Sequence, residues 1–345
     1  MNDGWTRVSP QDAGIAPDVD ERLDAGLHAG QIPKLHGVVV VRFGKLVFER
    51  YLTGPDESWG SPLGRIAFTP ETLHDLRSVT KSIVALLYGV ALEQGKVPRP
   101  EENLFASFPE FPELASDPAR SVLNIEHVLT MTMGTEWDEA RPYTDPTNSE
   151  IAMEAAPDRY RYILERPIVA DPGTCWTYNG GATALLGRLI AQGTGKSLPD
   201  FAHDSLFAPL GITTFEWARG RDGTPSAASG LRLRPRDLAR IGKLILQNGM
   251  WKEQAIVPSP WLDTALREGV EIGDGRRYGY HWYLGTLGDQ RPGEPWIAAF
   301  GNGGQQLWII PGRDLVVACT FGNYDRPDQL AAPANLLRAI VGAVH

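Results

Sequence analysis

The chain has 345 residues, of which 42% are hydrophobic and ten are Trp, and its formal net charge is −9. This length and apolar content are enough to bury a substantial core, in one large domain or in two closely joined ones. The acidic balance provides no electrostatic footprint for DNA or RNA, whose binding draws on clustered Lys and Arg, so no nucleic-acid partner is expected.

The N-terminus and the apolar stretches carry no targeting signal. Residues 1–5 lack the basic stretch and following apolar run of a signal peptide, so a cytoplasmic protein is expected. The longest apolar stretch, 83–92, is about half of the roughly 20 residues that a membrane span needs, and it is expected to be a buried helix with no membrane association. Cys175 and Cys319 are expected to be buried free thiols rather than a disulfide.

Strand patterns occupy both ends of the chain and helix patterns occupy its middle. Two β-rich runs, 37–41 and 46–51, flank Gly44 and Lys45 and predict a hairpin. Helical spacing of apolar residues follows in four stretches: 78–94, 125–131, 182–191 and 235–247. Short β-branched and aromatic runs then predict further strands: 278–284, 296–300, 306–310 and 315–321. A last amphipathic stretch, 330–344, is predicted to be helical.

This order of elements predicts an α+β fold, in which one antiparallel sheet takes strands from both chain ends and is flanked by helices. We expect a sheet domain formed by residues 1–77 and 272–345, with a mostly helical region inserted at 78–271 and a site between the two. The Pro-punctuated segments 97–120 and 135–157 are too long for simple connectors and are expected to line a cleft.

Ser78 and Lys81 stand three residues apart at the start of a predicted helix. Positions i and i+3 share one helix face, so the hydroxyl and the ammonium converge. The helix N-terminus adds positive potential and free N–H donors, which favour a nucleophilic oxygen. The spacing therefore predicts a serine nucleophile with a lysine beside it. The alternative is that Ser78 only caps the helix and Lys81 is a solvated charge.

A serine nucleophile also needs a base, and Tyr178 is the candidate. It stands in the turn 171–180, which leads into the helix predicted from residue 182. A tyrosine has an ordinary pKa of about 10, and a neighbouring ammonium lowers that pKa by favouring the phenolate. The alternative is that Tyr178 is an ordinary core aromatic with a satisfied hydroxyl.

Several segments together resemble the class C β-lactamase-related serine hydrolases of the penicillin-binding-protein group. The matching segments are 78–81, 125–134, 172–187, 209–212, 229–239 and 278–282. The resemblance spans about residues 38–321 and is nearest to the esterase and amidase branch that includes the aminohexanoate-dimer hydrolases. It implies a β-lactamase/transpeptidase-like fold. It also implies Ser78 as the acylated nucleophile, Lys81 as the residue that polarises it, and Tyr178 as general base and later acid.

Two places depart from the pattern of this group. Where penicillin-recognising enzymes carry Lys-Thr-Gly, this chain has Phe300-Gly301-Asn302-Gly303-Gly304-Gln305-Gln306, without a Lys. We expect the Ser78 N–H and one N–H from Gly303 to Gln305 to hold the oxyanion, with Asn302 beside them; a β-turn with flexible glycines is the alternative.

The second departure is Tyr178-Asn179-Gly180, which leaves no amide at the third position of the family's Tyr-x-Asn pattern, although Asn179 remains a candidate contact. Both missing groups bind β-lactams in that group. We therefore expect weak or no β-lactamase activity and a preference for neutral esters or amides.

Other candidates are less specific. Trp137, Tyr143 and Trp282 are predicted to border the site as an apolar pocket, although aromatics more often belong to the core. Seven His without helical pairing and no closely spaced Cys pair indicate no metal site, and no cofactor is expected. The expected partner is a small-molecule ester or amide. A D-amino-acid peptidase and a degenerate ligand-binding homologue remain alternatives, and the oligomeric state stays open.

Overall fold

The computed structural model describes residues 4–267, 269–273, 275–288 and 293–345. Residues 1–3, which belong to the N-terminal segment 1–5 considered above, lie outside the described residues. The helices are Val19–His28 (α1), Val79–Glu93 (α2), Pro112–Ala115 (α3), Ile125–Leu129 (α4), Ser149–Ala155 (α5), Arg159–Leu164 (α6), Gly180–Thr194 (α7), Leu198–Ala202 (α8), Ala208–Leu210 (α9), Pro235–Leu246 (α10), Ser259–Arg267 (α11) and Ala331–Val341 (α12).

The strands are Leu35–Arg42 (β1), Lys45–Tyr51 (β2), Thr53–Ser58 (β3), Ser61–Ala67 (β4), His74–Asp75 (β5), Glu216–Trp217 (β6), Leu231–Leu233 (β7), Met250–Trp251 (β8), Gln254–Ala255 (β9), Val270–Gly273 (β10), Arg276–Tyr278 (β11), Tyr283–Leu287 (β12), Glu294–Gly301 (β13), Gln305–Ile310 (β14) and Leu315–Phe321 (β15). Eight of them form one antiparallel sheet in the order β10-β11-β12-β13-β14-β15-β1-β2.

The sheet joins the two ends of the chain through β1, which pairs with β15 on one side and β2 on the other. Every residue of β1 is buried, as expected of a central strand covered on both faces. Because side chains alternate along a strand, Val39 and Val41 join the core with α2, whereas Val38 and Val40 join the core with α1 and α12. The predicted α+β fold with an antiparallel sheet from both ends is confirmed.

The helical side of the molecule is built around α2. Its residues from Val79 to Ala91 are all buried, because a helix that is apolar on every face must be covered on every face. Close approaches use glycines: a Cβ on Gly89 would lie 2.2 Å from the Trp261 ring. Helix α10 falls within the predicted helical region yet packs on the sheet, where a Cβ on Gly242 would lie 2.4 Å from Val316. The predicted domain boundaries stay a prediction.

Some local predictions were wrong. The stretch 278–284 was predicted to be one strand, but a turn at Gly279–Trp282 divides it, with His281 at a φ of 59° and the Gly279 N–H bonded to the Trp282 carbonyl. The hairpin β3–β4 was not predicted. Both cysteines are free, but only Cys319 is buried and Cys175 is exposed. Among the described residues, no helix combines the length and the apolar character that crossing a bilayer requires.

Candidate active site

Ser78 occupies the N-terminal end of α2, where the chain turns sharply out of β5. The residue before it, Arg77, has a φ of 49°, a left-handed conformation that is costly for a residue with a Cβ. The contacts of its guanidinium hold it in place: the group pairs with Glu57, lies 3.2 Å from Asp75 and stacks at 4.9 Å over the Tyr324 ring. The turn therefore presents Ser78 at the helix end in a fixed, strained conformation.

Lys81 lies one helical turn further on, and its side chain is only 1% exposed. Its Nζ donates hydrogen bonds to Ser78 Oγ at 3.0 Å, to Glu150 Oε2 at 3.1 Å and to the Ala228 carbonyl at 3.1 Å. An ammonium has three N–H groups, so these acceptors use all of them. The i,i+3 convergence of Ser78 and Lys81 predicted from the sequence is present.

Two carboxyl groups that the sequence analysis did not single out complete the surroundings of Lys81. Glu150 is the second residue of α5. Glu139 lies before this helix, and its Oε2 is 4.0 Å from Lys81 Nζ. Ser229 Oγ donates to Glu150 Oε1 at 2.7 Å, while Trp137 Nε1 and the Tyr143 hydroxyl donate to Glu139 at 2.6 and 3.0 Å. Both carboxyl side chains are 2% exposed.

The two carboxyl groups have opposite protonation tendencies. Burial and the neighbouring Glu150 charge raise the pKa of Glu139 to about 7, although Lys81 opposes this. Despite the opposing effect of its burial, the pKa of Glu150 is lowered by the Lys81 ammonium, by Ser229 and by a hydrogen bond with Glu139. Beside the Lys81 ammonium, Glu150 is therefore the stronger acid of the two and Glu139 holds its proton more tightly.

Tyr178 reaches the same point from the turn before α7. The Thr177 N–H bonds the Met131 carbonyl at 3.0 Å, and the Asn179 side chain caps α7 by accepting from the Ala182 N–H at 3.0 Å. Burial, together with the nearby Tyr283, raises the pKa of Tyr178 well above its ordinary value, while a hydrogen bond with Ser78 acts to lower it.

The sequence analysis expected an ammonium beside Tyr178 to lower its pKa, whereas the effects that raise this pKa prevail. Lys81 Nζ lies 4.9 Å from the centre of the phenol ring and directs its N–H groups to other acceptors. The phenol therefore holds its proton more tightly than an ordinary tyrosine does.

The segment after β13 supplies backbone N–H groups. The Gly303 N–H donates to the Gln329 side chain and the Gly304 N–H to the Gly301 carbonyl at 3.2 Å, while Gln305 pairs with Gly301 in the sheet. These bonds do not support the prediction that one of these three N–H groups holds an oxyanion. Within the described residues, the N–H groups of Ser78 and Asn302 have no acceptor.

Ser78, Tyr178 and Asn302 border one open cleft of about 280 Å³. Its other lining residues are mostly aromatic or aliphatic, and Glu139 and Arg276 are the acidic and the basic one among them. The aromatic and aliphatic ones are Tyr143, Trp176, Ile272, Tyr283, Phe300 and Leu330, with Gly301 and Gln329 beside Asn302. Gly301 allows its segment to pass close to the residues before Ser78, because a Cβ there would lie 2.3 Å from the Leu76 carbonyl oxygen.

The other predicted contact residues have different places. Tyr143 borders the cleft as expected, whereas Trp282 is fully buried and Trp137 is 7% exposed, with its indole N–H holding Glu139. Asn179 is a buried helix cap, and the Gln305 side chain is buried between the Asn302 and Phe321 carbonyls at 3.1 and 2.8 Å. These four side chains are buried and are not among the residues that line the cleft.

Sequence reasoning missed Glu139, Glu150 and Tyr283. The two glutamates stand in the long segment 135–157, which was expected to line a cleft, and Tyr283 follows the unpredicted turn in 278–284. The length of the segment 135–157 indicated that it lines a cleft, but the spacing of its residues did not single out either glutamate. Gly180, the first residue of α7, leaves room for the Glu150 carboxyl group, because a Cβ there would lie 2.5 Å from Glu150 Oε2.

Comparison with known proteins gives a consistent result. A family model described as Beta-lactamase matches residues 19–343. The 6-aminohexanoate-dimer hydrolase of Paenarthrobacter ureafaciens is 24% identical, over 90% of this chain and 76% of that protein.

Two solved structures share the fold. One is EstCE1, described as a hydrolase with promiscuous acyltransferase activity, with a TM-score of 0.73, 16% identity and coverage of 94% of this chain and 98% of that one. The other is a class C beta-lactamase with a TM-score of 0.69, 17% identity and coverage of 95% of both chains. The resemblance stated from the sequence is confirmed.

Proposed function

The chain belongs to the beta-lactamase family, and on that premise we propose that it is a serine hydrolase that cleaves ester or amide bonds of small molecules through an acyl-enzyme on Ser78. The observation that carries the proposal is the hydrogen bond from Lys81 Nζ to Ser78 Oγ at 3.0 Å, at the edge of an open cleft that Tyr178 also borders. Hydrolases among the relatives agree with this assignment.

Tyr178 acts in this proposal as a proton relay and not as a stored phenolate. As Ser78 Oγ attacks the substrate carbonyl, its proton passes to the phenol oxygen while the phenol's own proton passes to the leaving oxygen or nitrogen. The raised pKa of Tyr178 favours such a coupled transfer, because no phenolate accumulates. Water then attacks the acyl-enzyme with the same relay running in reverse.

Lys81 acts as a fixed positive charge. All three of its N–H groups are donated, so it has no lone pair with which to accept the serine proton. Its hydrogen bond to Ser78 Oγ at 3.0 Å stabilises negative charge on that oxygen during attack. Glu150 and Glu139 keep the ammonium in a buried position by supplying its counter-charge.

The substrate carbonyl oxygen is held by the N–H groups of Ser78 and Asn302. These two groups have no acceptor among the described residues and border the same cleft. A donor pair of this kind contributes about 3 to 4 kcal/mol per donor to transition-state stabilisation. Asn302 thus replaces Gly303 to Gln305 as the second donor in our assignment.

The substrate class follows from the charges at the cleft. The family's Lys-Thr-Gly lysine is missing and a buried carboxyl, Glu139, is among the lining residues, so an anionic β-lactam finds little complementary charge in the lining beyond Arg276. The predominantly apolar walls suit a neutral acyl or leaving group. We therefore propose neutral esters or amides as substrates, with weak or no β-lactamase activity.

The proposal is tested by labelling and turnover. A fluorophosphonate probe is expected to label Ser78, as located by mass spectrometry, and not to label Ser78→Ala. The matched control is Ser82→Ala on the same helix, whose hydroxyl donates to the His281 carbonyl and faces away from the cleft chemistry. Tyr178→Phe is expected to lower kcat for p-nitrophenyl esters by about 100- to 10,000-fold.

The substrate panel separates the remaining readings. It comprises short-chain p-nitrophenyl esters, aminohexanoate amides, D-Ala-D-Ala peptides and nitrocefin. Nitrocefin turnover comparable to ester turnover would contradict the substrate class, and peptide turnover above ester turnover would favour a D-amino-acid peptidase. A folded protein that the probe leaves unlabelled at Ser78 would favour a ligand-binding homologue without catalysis.

A further inference from the structure

Three buried polar side chains converge outside the cleft, and we call them the His36–Asp56–His74 cluster. They come from β1, β3 and β5, and none of the three side chains is more than 1% exposed. His36 Nδ1 and His74 Nε2 are 2.9 Å apart, and Asp56 Oδ1 lies 3.8 Å from the first and 3.6 Å from the second. Three donor atoms thus face one point.

The outer contacts of these residues orient the converging atoms. His74 Nδ1 lies 2.9 Å from the Asp75 carbonyl oxygen, so this nitrogen carries the proton and Nε2 presents a lone pair to the cluster. The Tyr324 hydroxyl donates to Asp56 Oδ1 at 2.9 Å. A carbonyl or hydroxyl partner behind each ligand is the usual support of a metal site.

Charge is unbalanced in the cluster. Asp56 pairs with no Lys or Arg among the residues that the structure describes, since Arg77, stacked on Tyr324, pairs with Glu57 and Asp75 instead. A buried carboxylate is costly unless a cation neutralises it. The cluster therefore calls for a positive charge that no Lys or Arg supplies.

A neutral hydrogen bond between the imidazoles leaves this problem unsolved. If His36 Nδ1–H donates to His74 Nε2, then His36 Nε2 holds a buried lone pair beside the Pro55 carbonyl, and this nitrogen makes no well-formed hydrogen bond within the described residues. If instead His36 carries its proton on Nε2, that N–H faces the carbonyl and two ring lone pairs oppose each other at 2.9 Å. A cation between them removes the repulsion.

We propose that His36 Nδ1, His74 Nε2 and Asp56 Oδ1 bind a divalent transition-metal ion of the zinc type. Two tetrahedral ligands at about 2.0–2.2 Å from a zinc ion lie about 3.4 Å from each other. The three separations between the ligand atoms here, 2.9, 3.6 and 3.8 Å, lie on both sides of that value. Imidazole and carboxylate donors suit this ion, and its charge balances Asp56. The site departs from the expectation that the seven His form no metal centre.

The metal has a structural role, because the cluster ties β1 and β3 to the segment that carries the nucleophile. His74 stands four residues before Ser78, and Tyr324, the hydroxyl partner of Asp56, supports Arg77. The ion thus holds the strained turn from behind without touching substrate. Binding is coupled to folding, since the ligands are buried.

The site is tested on the full chain expressed with zinc supplementation and purified without chelator. Elemental analysis is expected to find about one zinc per chain, retained through dialysis. His74→Gln and Asp56→Asn are expected to lower the zinc content at least tenfold. The matched control is His203→Gln, which removes an exposed His that lies 2.9 Å from the Asp204 carboxylate and offers an adventitious surface site.

A measurement on the unaltered chain covers variants that fail to fold. Cobalt-loaded wild-type protein is expected to show the strong visible bands of four-coordinate Co²⁺ and to melt at a higher temperature than chelator-treated protein. Wild-type protein with no zinc and no such bands overturns the proposal, as does zinc that is lost in His203→Gln but kept in His74→Gln.

Discussion

The two carboxyl groups beside Lys81 can be separated by neutralising each in turn. Glu150→Gln removes the carboxylate at 3.1 Å from Nζ, and Glu139→Gln removes the group at 4.0 Å, which is partly protonated near neutral pH. The negative charge of Glu150 is one of the causes that raise the pKa of Glu139. When Glu150 is replaced by a neutral residue, this repulsion is lost, and Glu139 ionises in its place. Each single variant therefore keeps one counter-charge, and only the double variant loses both.

The magnitudes follow from the distances. At an effective dielectric constant of about 20, two unit charges attract by about 5 kcal/mol at 3.1 Å and about 4 kcal/mol at 4.0 Å. Replacing the nearer partner by the farther one therefore costs about 1 kcal/mol of the free energy of unfolding. We expect Glu139→Gln to change this free energy by at most about 1 kcal/mol, since the carboxyl is partly neutral already. The double variant leaves a buried ammonium unpaired, which costs about 3 to 5 kcal/mol.

The assay is urea unfolding at pH 7 of the wild type, both single variants and the double variant. The matched control is the pair Glu136→Gln and Glu165→Gln, whose carboxylates are 55% and 47% exposed and pair with surface Arg residues, so their effects are expected to be small and additive. We expect the double variant in the site to exceed the sum of its singles by about 1 kcal/mol or more. A double variant that matches that sum within about 0.5 kcal/mol would refute the shared counter-charge.

Two further outcomes are expected. Gly301→Ala places a Cβ 2.3 Å from the Leu76 carbonyl oxygen, so we expect a loss of about 1–3 kcal/mol in stability and at least tenfold in kcat/KM. The control is Gly312→Ala, whose Cβ would meet only the flexible Glu294 side chain, at 3.1 Å. Equal melting temperatures and activities for the two variants would contradict this expectation. The raised pKa of Glu139 means that the folded chain holds this proton more tightly than the unfolded chain, so wild-type stability falls as the pH rises from 4.5 towards about 7 and levels off above, while Glu139→Gln lacks that fall. Unfolding curves at pH 5 and pH 8 measure the difference, and identical pH profiles for the two proteins would exclude the assigned pKa.

The prediction of elements succeeded where local periodicity decides the backbone. The alternating valines of 37–41 and the apolar helix after Ser78 were recognised from sequence because period 2 and period 3.6 each place apolar side chains on the faces that become buried. The same local geometry brings Ser78 and Lys81 together, since three residues along a helix is a fixed distance. The turn at 279–282 was not predicted, because His281 adopts a left-handed conformation that its residue type does not indicate.

The chain itself therefore determined the main strands and helices, the antiparallel sheet from both ends and the convergence of Ser78 with Lys81. Tertiary structure alone decided the surroundings of that pair. Glu139 and Glu150 reach Lys81 from a segment with no periodic pattern. The Gly303 N–H is taken up by the Gln329 side chain, whereas the Asn302 N–H meets no acceptor in the part of the chain that the structure describes. The reason is physical: spacing along a chain fixes geometry over a few residues, whereas hydrogen bonds and charge pairs between distant segments depend on how the packed elements meet.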